Sequence, residues 1–379
     1  MLTIDSSDPR LIGDIYWQVD DFKTISKLQA IQKAGGDIGR VQYHWMDQTW
    51  ENYDMSVDPV LSWDELCKIR AWQLRDRYGY LVLCYSGGWD STPVLLTFAR
   101  HNIPLDEIII WDRREYMDDP EIPDAVEYAK KVVNEYHMDT KITVFDVPWD
   151  YHARIYKQAG ENYIFLPGCQ MSFNQTTRIL KQDVLDTYVD IKKKFSEDQV
   201  CFIEAHDKPK ITLYDNKWYH FYIDNAMYSY IGKGITEMFY FSAELPELHA
   251  KQVYMSINYF ENLLRNTPGA TGELVHHVQG FGDRELYADW NLHIGRTCSP
   301  NYSAIHGIGK HVDYFSINNK PELARLIGHT KDYMDNIYSI WKKGHQKAKE
   351  ITGIDLPSGK SIPGIMSKQY YVRDFRSSI

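Results

Sequence analysis

From residue 62 onward, short wholly apolar runs alternate with stretches in which apolar residues recur every three or four positions. Ser62-Trp63-Asp64-Glu65 has the spacing of a capping box, where serine and glutamate each satisfy the other's backbone N–H. Leu66, Ile69, Trp72 and Leu74 then suit an amphipathic helix that stops at Tyr78-Gly79. Residues 80–85 follow as a strand apolar on both faces. After a glycine pair, residues 90–101 read as a helix with Val94, Leu95 and Phe98 inward. The alternation continues with a strand at 107–111, a helix at 124–136 and a β-branched strand at 141–147. Residues 174–195 resume helical spacing and 200–205 supply a fourth strand. The expected fold class is therefore α/β, a doubly wound, mainly parallel, Rossmann-like sheet that binds ligands at the carboxyl ends of its strands. Residues 148–172, with Gly160 and Pro167-Gly168, interrupt the pattern and are expected to form an active-site loop.

The character changes after residue 210. Residues 211–214 and 217–223 look like a hairpin turning at Asp215-Asn216. Pro246 is placed to open a helix reaching about Arg265, and Thr330 to cap one reaching Thr352, with Tyr333, Ile337, Ile340 and Trp341 on one face. Between them, 269–309 is rich in glycine and histidine and has no clear period. Three units are expected: an extension or lid over 1–61 carrying Trp17, Trp45 and Trp50, an α/β domain over 62–210, and a mainly helical specificity or assembly domain over 211–379. The first of these either stands as a lid or packs on the third.

Composition narrows the class. The chain has 379 residues, 44% apolar and 25% charged, which is the balance of a globular protein. Its longest apolar runs fall far short of the ~20 residues that a spanning helix needs, so no membrane partner is expected. Forty-two basic against 52 acidic residues give a net charge of -10, which disfavours a generally cationic surface for duplex nucleic acid but leaves room for a local basic groove. Cysteines 67, 84, 169, 201 and 298 form no C-x-x-C pair, and residues 1–10 hold no apolar signal core, so a reducing, cytoplasmic setting is expected. The aromatic share of 14% suits core and rim packing and also base-stacking surfaces.

Ser86-Gly87-Gly88-Trp89-Asp90-Ser91-Thr92 joins the first buried strand directly to a helix. Two glycines let the backbone bend tightly, and the first helical N–H groups point toward whatever sits there, a geometry that favours an anion. Ser86, Ser91 and Thr92 add hydroxyl donors, and the helix dipole contributes ~0.3–1 kcal/mol. A carboxylate beside phosphates needs an intervening cation, so Asp90 is expected to hold Mg2+.

Strand plus S-G-G-x-D-S-T resembles the signature of the PP-loop ATP pyrophosphatases, which include asparagine, argininosuccinate, NAD and GMP synthetases and tRNA-modifying enzymes. It is neither a Walker A loop nor G-x-G-x-x-G. The resemblance covers residues 80 to about 210. It implies cleavage of ATP to AMP and pyrophosphate with adenylation of a carbonyl or carboxylate oxygen. Residues 86–92 would cradle pyrophosphate, and Trp111 and Asp112, ending the second strand, would meet adenine. Such a loop has no lysine, so positive charge must come from elsewhere. Lys208, after the fourth strand, is the first candidate and Arg178 the second, each also readable as a solvated side chain. Asp207 is a further candidate metal ligand.

Phe239-Tyr240-Phe241 with Glu244, Pro246, Lys251 and Gln252 resembles a segment of phage-encoded phosphoadenosine phosphosulfate reductase-like proteins. It would suit a planar substrate, or simply the start of a helix. Sulfonucleotide reductases use a cysteine near the C-terminus, whereas the last cysteine here is Cys298, in R-T-C-S-P. The fourteen histidines show no zinc spacing, and His276, His277, His293, His306 and His311, in the irregular stretch, read as ordinary loop residues. The leading expectation is an AMP-forming enzyme using ATP and Mg2+ on an unidentified small-molecule or nucleic-acid acceptor. Alternatives are a sulfonucleotide reductase-like enzyme or a non-catalytic nucleotide-binding assembly protein. A homo-oligomer is left open.

Overall fold

A computed structural model describes residues 15–24, 26–112, 121–147, 181, 183–205, 209–224, 235–280, 282–298, 331–356 and 362–376. The N-terminal elements are β1 (Ile15–Val19), β2 (Phe22–Thr24), α1 (Lys27–Lys33), β3 (Gln42–Trp45) and α2 (Asp47–Asn52), the strands forming an antiparallel sheet in the order β2-β1-β3. Then come α3 (Trp63–Arg77), β4 (Tyr80–Cys84), α4 (Ser91–Arg100), β5 (Glu107–Asp112), α5 (Glu121–Glu135), β6 (Lys141–Asp146), α6 (Val189–Lys194) and β7 (Val200–Glu204). The chain continues through β8 (Lys210–Tyr214), β9 (Lys217–Phe221), β10 (Ile235–Met238), α7 (Pro246–Asn266), α8 (Gly272–Gln279), α9 (Arg284–Cys298), α10 (Lys331–Thr352) and β11 (Tyr370–Asp374). No helix among the described residues is long and apolar enough to cross a membrane.

The central sheet has the order β10-β7-β4-β5-β6 with every pairing parallel. This is the α/β, doubly wound arrangement that the sequence pattern predicts. Helix α3 opens with the capping box, Ser62 N–H donating to Glu65 Oε2 at 2.8 Å and Glu65 N–H to Ser62 Oγ at 3.3 Å. Val94, Leu95 and Phe98 are fully buried. Helix α5 already includes Glu121, three residues before its expected first residue. Asp215 and Asn216 have φ of 48° and 56°, the two left-handed residues that a two-residue hairpin turn requires.

Several expectations are corrected. Strand β10 has no apolar run to announce it. Its Glu237 is held by Arg70 (2.8 Å) and also accepts from the Tyr78 hydroxyl. Beside the expected hairpin, β11, which the sequence pattern does not single out, pairs with β9 to complete a sheet ordered β11-β9-β8. Residues 269–309, read as lacking period, contain α8 and α9; Thr271 caps α8 by accepting from Glu273 N–H, and His276 Nε2 lies 3.0 Å from Thr212 Oγ1. The expected single helix over 174–195 breaks, within its described part, at Tyr188, whose φ and ψ are −80° and 51°. The break lets the Tyr188 hydroxyl donate to Glu107 Oε2 at 2.8 Å. Glu107 is fully buried at the amino edge of the sheet and also accepts from Tyr80 (2.8 Å), Lys141 (3.2 Å) and Thr143.

The N-terminal sheet packs on the hairpin sheet and on α7. Trp17 Nε1 donates to Asp224 Oδ2 at 2.9 Å, and Lys27 forms a buried ion pair with the same carboxylate, also at 2.9 Å. Trp50 lies against His220 and His249, with ring centroids 5.2 and 4.9 Å away, and Trp45 against Tyr222 and Phe241. Both histidines are fully buried, and their ring nitrogens have no hydrogen-bond partner among the described residues. Burial among rings pushes the His220 pKa down to about 3 from 6.5, and that of His249 well below 6.5.

Two predictions follow from this packing. The unfolded chain takes up protons at these histidines below pH 6.5 while the folded chain does not, so their contribution to stability is complete above that pH. It falls toward pH 3 by about 1.4 kcal/mol per pH unit for each histidine. Urea midpoints of the wild type should therefore drop between pH 7 and 5, and His249→Phe should have a visibly shallower slope; equal slopes would contradict neutral, buried rings. Tyr188→Phe removes a donor from a buried carboxylate and should cost about 1.5–3 kcal/mol in the same measurement.

Candidate functional site

The chain runs from β4 outward to β5 and β6 and then returns to the other side of β4 with β7 and β10. The switch point therefore lies between the carboxyl ends of β4 and β7, where open α/β sheets hold their ligands. Residues 85–90 leave β4 at this point.

Tyr85 continues the strand for one residue, its N–H donating to Ile109 O at 2.9 Å. Gly87 has φ of +73°, and a Cβ there would lie 2.8 Å from the Ala125 Cβ of α5, so both the conformation and the close approach require glycine. Ser86 folds the bend on itself: its N–H donates to Ser91 Oγ (3.2 Å), its Oγ lies 3.2 Å from the same atom and accepts from Gly88 N–H (3.4 Å). The first bond of α4 runs from Thr92 N–H to Gly88 O at 3.1 Å. Thr92 is buried, with Oγ1 3.2 Å from the Tyr85 hydroxyl. Asp90 occupies the N-cap position, yet its carboxylate makes no capping bond to α4. The loop is fixed from outside by Tyr240, whose hydroxyl donates to Asp90 O at 2.7 Å and whose ring stacks on Trp63 with centroids 5.4 Å apart.

Ser86, Gly87, Gly88, Asp90, Ser91 and Thr92 are thus brought into one turn. Trp111 and Asp112 end the neighbouring strand β5 at the same edge; the Trp111 ring is buried against Phe145, and Asp112 O accepts from Val147 N–H at 2.8 Å. Lys208, Arg178 and Asp207 lie outside the described residues. Phe239, Tyr240 and Phe241, which could have offered a platform for a planar substrate, are buried in the core ahead of Pro246 at the start of α7. Among the described residues no three His, Cys, Asp or Glu side chains converge as a metal cage. A cation held by one carboxylate and by phosphate oxygens, as Mg2+ usually is, does not need one.

Sequence reasoning missed a second pair. Lys181 is 2% exposed and forms a buried ion pair with Glu204, the last residue of β7, while donating to Thr236 Oγ1 at 3.1 Å. A signal was present: Lys181 shares a helical face with the apolar Val184, Leu185 and Tyr188, all buried against the sheet. Cys84, which ends β4, packs on that same face, and burial pushes its thiol up to about 12; Cys201 is also pushed well above its usual value. Neither thiol supplies a thiolate near neutral pH.

No protein-family model and no curated protein matches the chain. Among solved structures it is similar to NMN synthetase from Francisella tularensis, at 14% identity and a TM-score of 0.26 over 39% of this chain. It spans about half (56%) of that protein's length. It is also similar to an NH3-dependent NAD synthetase from Campylobacter jejuni, at 12% identity and a TM-score of 0.29, covering 64% of this chain and 98% of that one. Likeness this slight carries no argument about activity. The fold class rests on the strand order, and the site on its own geometry.

Proposed function

We propose that the chain is an ATP-dependent, AMP-forming enzyme whose phosphate site is the bend of residues 86–92. The observation that carries this reading is the position of an S-G-G-x-D-S-T bend, with its left-handed Gly87, at the switch point of a five-stranded parallel sheet. The amides of the bend and of the first turn of α4 bind the β- and γ-phosphates, those of Ser86 and Gly88 giving up their bonds to the Ser91 and Ser86 hydroxyls, and Asp90 holds Mg2+ against them. The ion, when bound, offsets negative charge on the departing pyrophosphate. Trp111 and Asp112 border the adenosine end. A carboxylate or carbonyl oxygen of the acceptor attacks the α-phosphorus, the bond from that phosphorus to the bridging oxygen breaks, and pyrophosphate leaves with the electron pair. A nucleophile then displaces AMP from the adenylated acceptor. Lys208 and Arg178 remain proposed cations, and Asp207 a proposed metal ligand. The acceptor is a small molecule or a nucleic acid. A thiol mechanism gains no support from Cys84, whose protonated sulfur is the one nearest the bend in sequence.

Incubation with Mg2+, α-labelled ATP and candidate acceptors should yield AMP and pyrophosphate. Formation of ADP would contradict the reading, and binding without turnover would instead mark a nucleotide-binding assembly protein. Gly87→Ala, which forces a Cβ against Ala125, should weaken ATP binding by at least ~tenfold, equivalent to about 1.4 kcal/mol, in a calorimetric titration. Ser86→Ala should weaken it in the same direction.

A further inference from the structure

A polyphosphate would bring several negative charges to the carboxyl ends of the strands, and those ends are themselves acidic. Among the described residues, positions 84–92, 111–112, 146–147, 204–205 and 238–240 include Asp90, Asp112, Asp146 and Glu204 and no basic residue. Two buried cations dock on these ends from elsewhere. Arg70 is committed to the outer strand β10, donating to Glu237 Oε2 at 2.8 Å and Met238 O at 3.1 Å. Lys181 sits one strand closer, on Glu204 at the end of β7, which is paired directly with β4.

We propose that Lys181 is the cation of the phosphate site, held in reserve by Glu204 and passed to the polyphosphate when nucleotide binds. This rests on the ATP reading given above and assigns it a residue that neither the loop motif nor Lys208 and Arg178 supply.

Three observations carry it. First, Lys181 Nζ lies 5.8 Å from the centre of the Phe202 ring, on the sheet face that Phe202 and Cys84 share, so the ammonium approaches the strand that delivers the bend two residues later. Second, Lys181 and Glu204 are 2% and 3% exposed, and a buried ion pair gains little net stability, because the loss of hydration offsets most of the attraction. Third, a lysine ammonium is a compact charge on a flexible four-carbon stem, and its remaining bond here is a neutral one, to Thr236 Oγ1 at 3.1 Å. A polyphosphate outbids a single carboxylate for such a charge. Glu204 then acts against binding, because it competes with the ligand for the lysine.

The competition gives the two partners opposite signs, which a merely structural ion pair would not. Titration of Mg-ATP into the full chain should show Lys181→Met weakening affinity by at least ~tenfold and Lys181→Arg by less. Glu204→Gln, which releases the ammonium, should tighten binding by a few fold even if it lowers the melting temperature. Should Lys181→Met fail to fold, the Glu204→Gln result decides alone. Weaker or unchanged binding in Glu204→Gln overturns the proposal, and so does a Lys181→Met protein that binds like the wild type. In both cases the ATP site itself survives if the wild type binds and Ser86→Ala does not. A wild type that fails to bind ATP removes the underlying reading and this inference with it.

Discussion

The parallel pairing of β4 on both of its edges is the constraint from which the rest of the structure follows. From β4 the chain goes on to β5, and from β7 to β10 on the opposite side, so the two connections part at the adjacent carboxyl ends of β4 and β7. The next residues must turn sharply there, and Gly87 supplies a conformation that a side chain would both strain and obstruct. The turn delivers the chain to α4 with its first N–H groups directed at the opening. A bend of this kind favours an anion for reasons that are local, whatever the acceptor proves to be.

Packing around the bend explains why it can hold one shape. Ala125 of α5 presses on Gly87, the Tyr85 and Thr92 hydroxyls meet beneath it, and Tyr240 reaches across from the segment before α7 to hold Asp90 O. Tyr240 is itself clamped by Trp63, at the start of the helix preceding β4. Elements separated by some 150 positions are thus fastened to one short loop. The abundance of aromatic residues serves this kind of contact: Trp45, Trp50, Tyr222, Phe241 and the two buried histidines join the N-terminal sheet, the hairpin sheet and α7 in one cluster of rings.

Much of the central sheet was legible in the sequence because its signals are local. The capping box at Ser62 and Glu65, the apolar run of β4, the glycine bend and the Asp215-Asn216 turn each depend on neighbours a few positions away, and each appears where the pattern places it. What stayed hidden depends on distant partners. Strand β10 is short, and Thr236 and Glu237 break its apolar character; they are paid for by Lys181, Arg70 and Tyr78. Tyr188 interrupts a stretch of good helical spacing to reach Glu107, 81 positions away. Lys181 reads as an ordinary helical lysine until the sheet beneath it is known. The bend residues were legible as candidates, whereas the ion pair beside them was not.

The most direct measurement of the central claim is a crystal structure of the full chain with Mg2+ and a non-hydrolysable ATP analogue. The account predicts β- and γ-phosphate oxygens within hydrogen-bond distance of backbone amides between Ser86 and Thr92. A nucleotide bound elsewhere, or a bend whose amides stay closed on the protein's own groups, would contradict it.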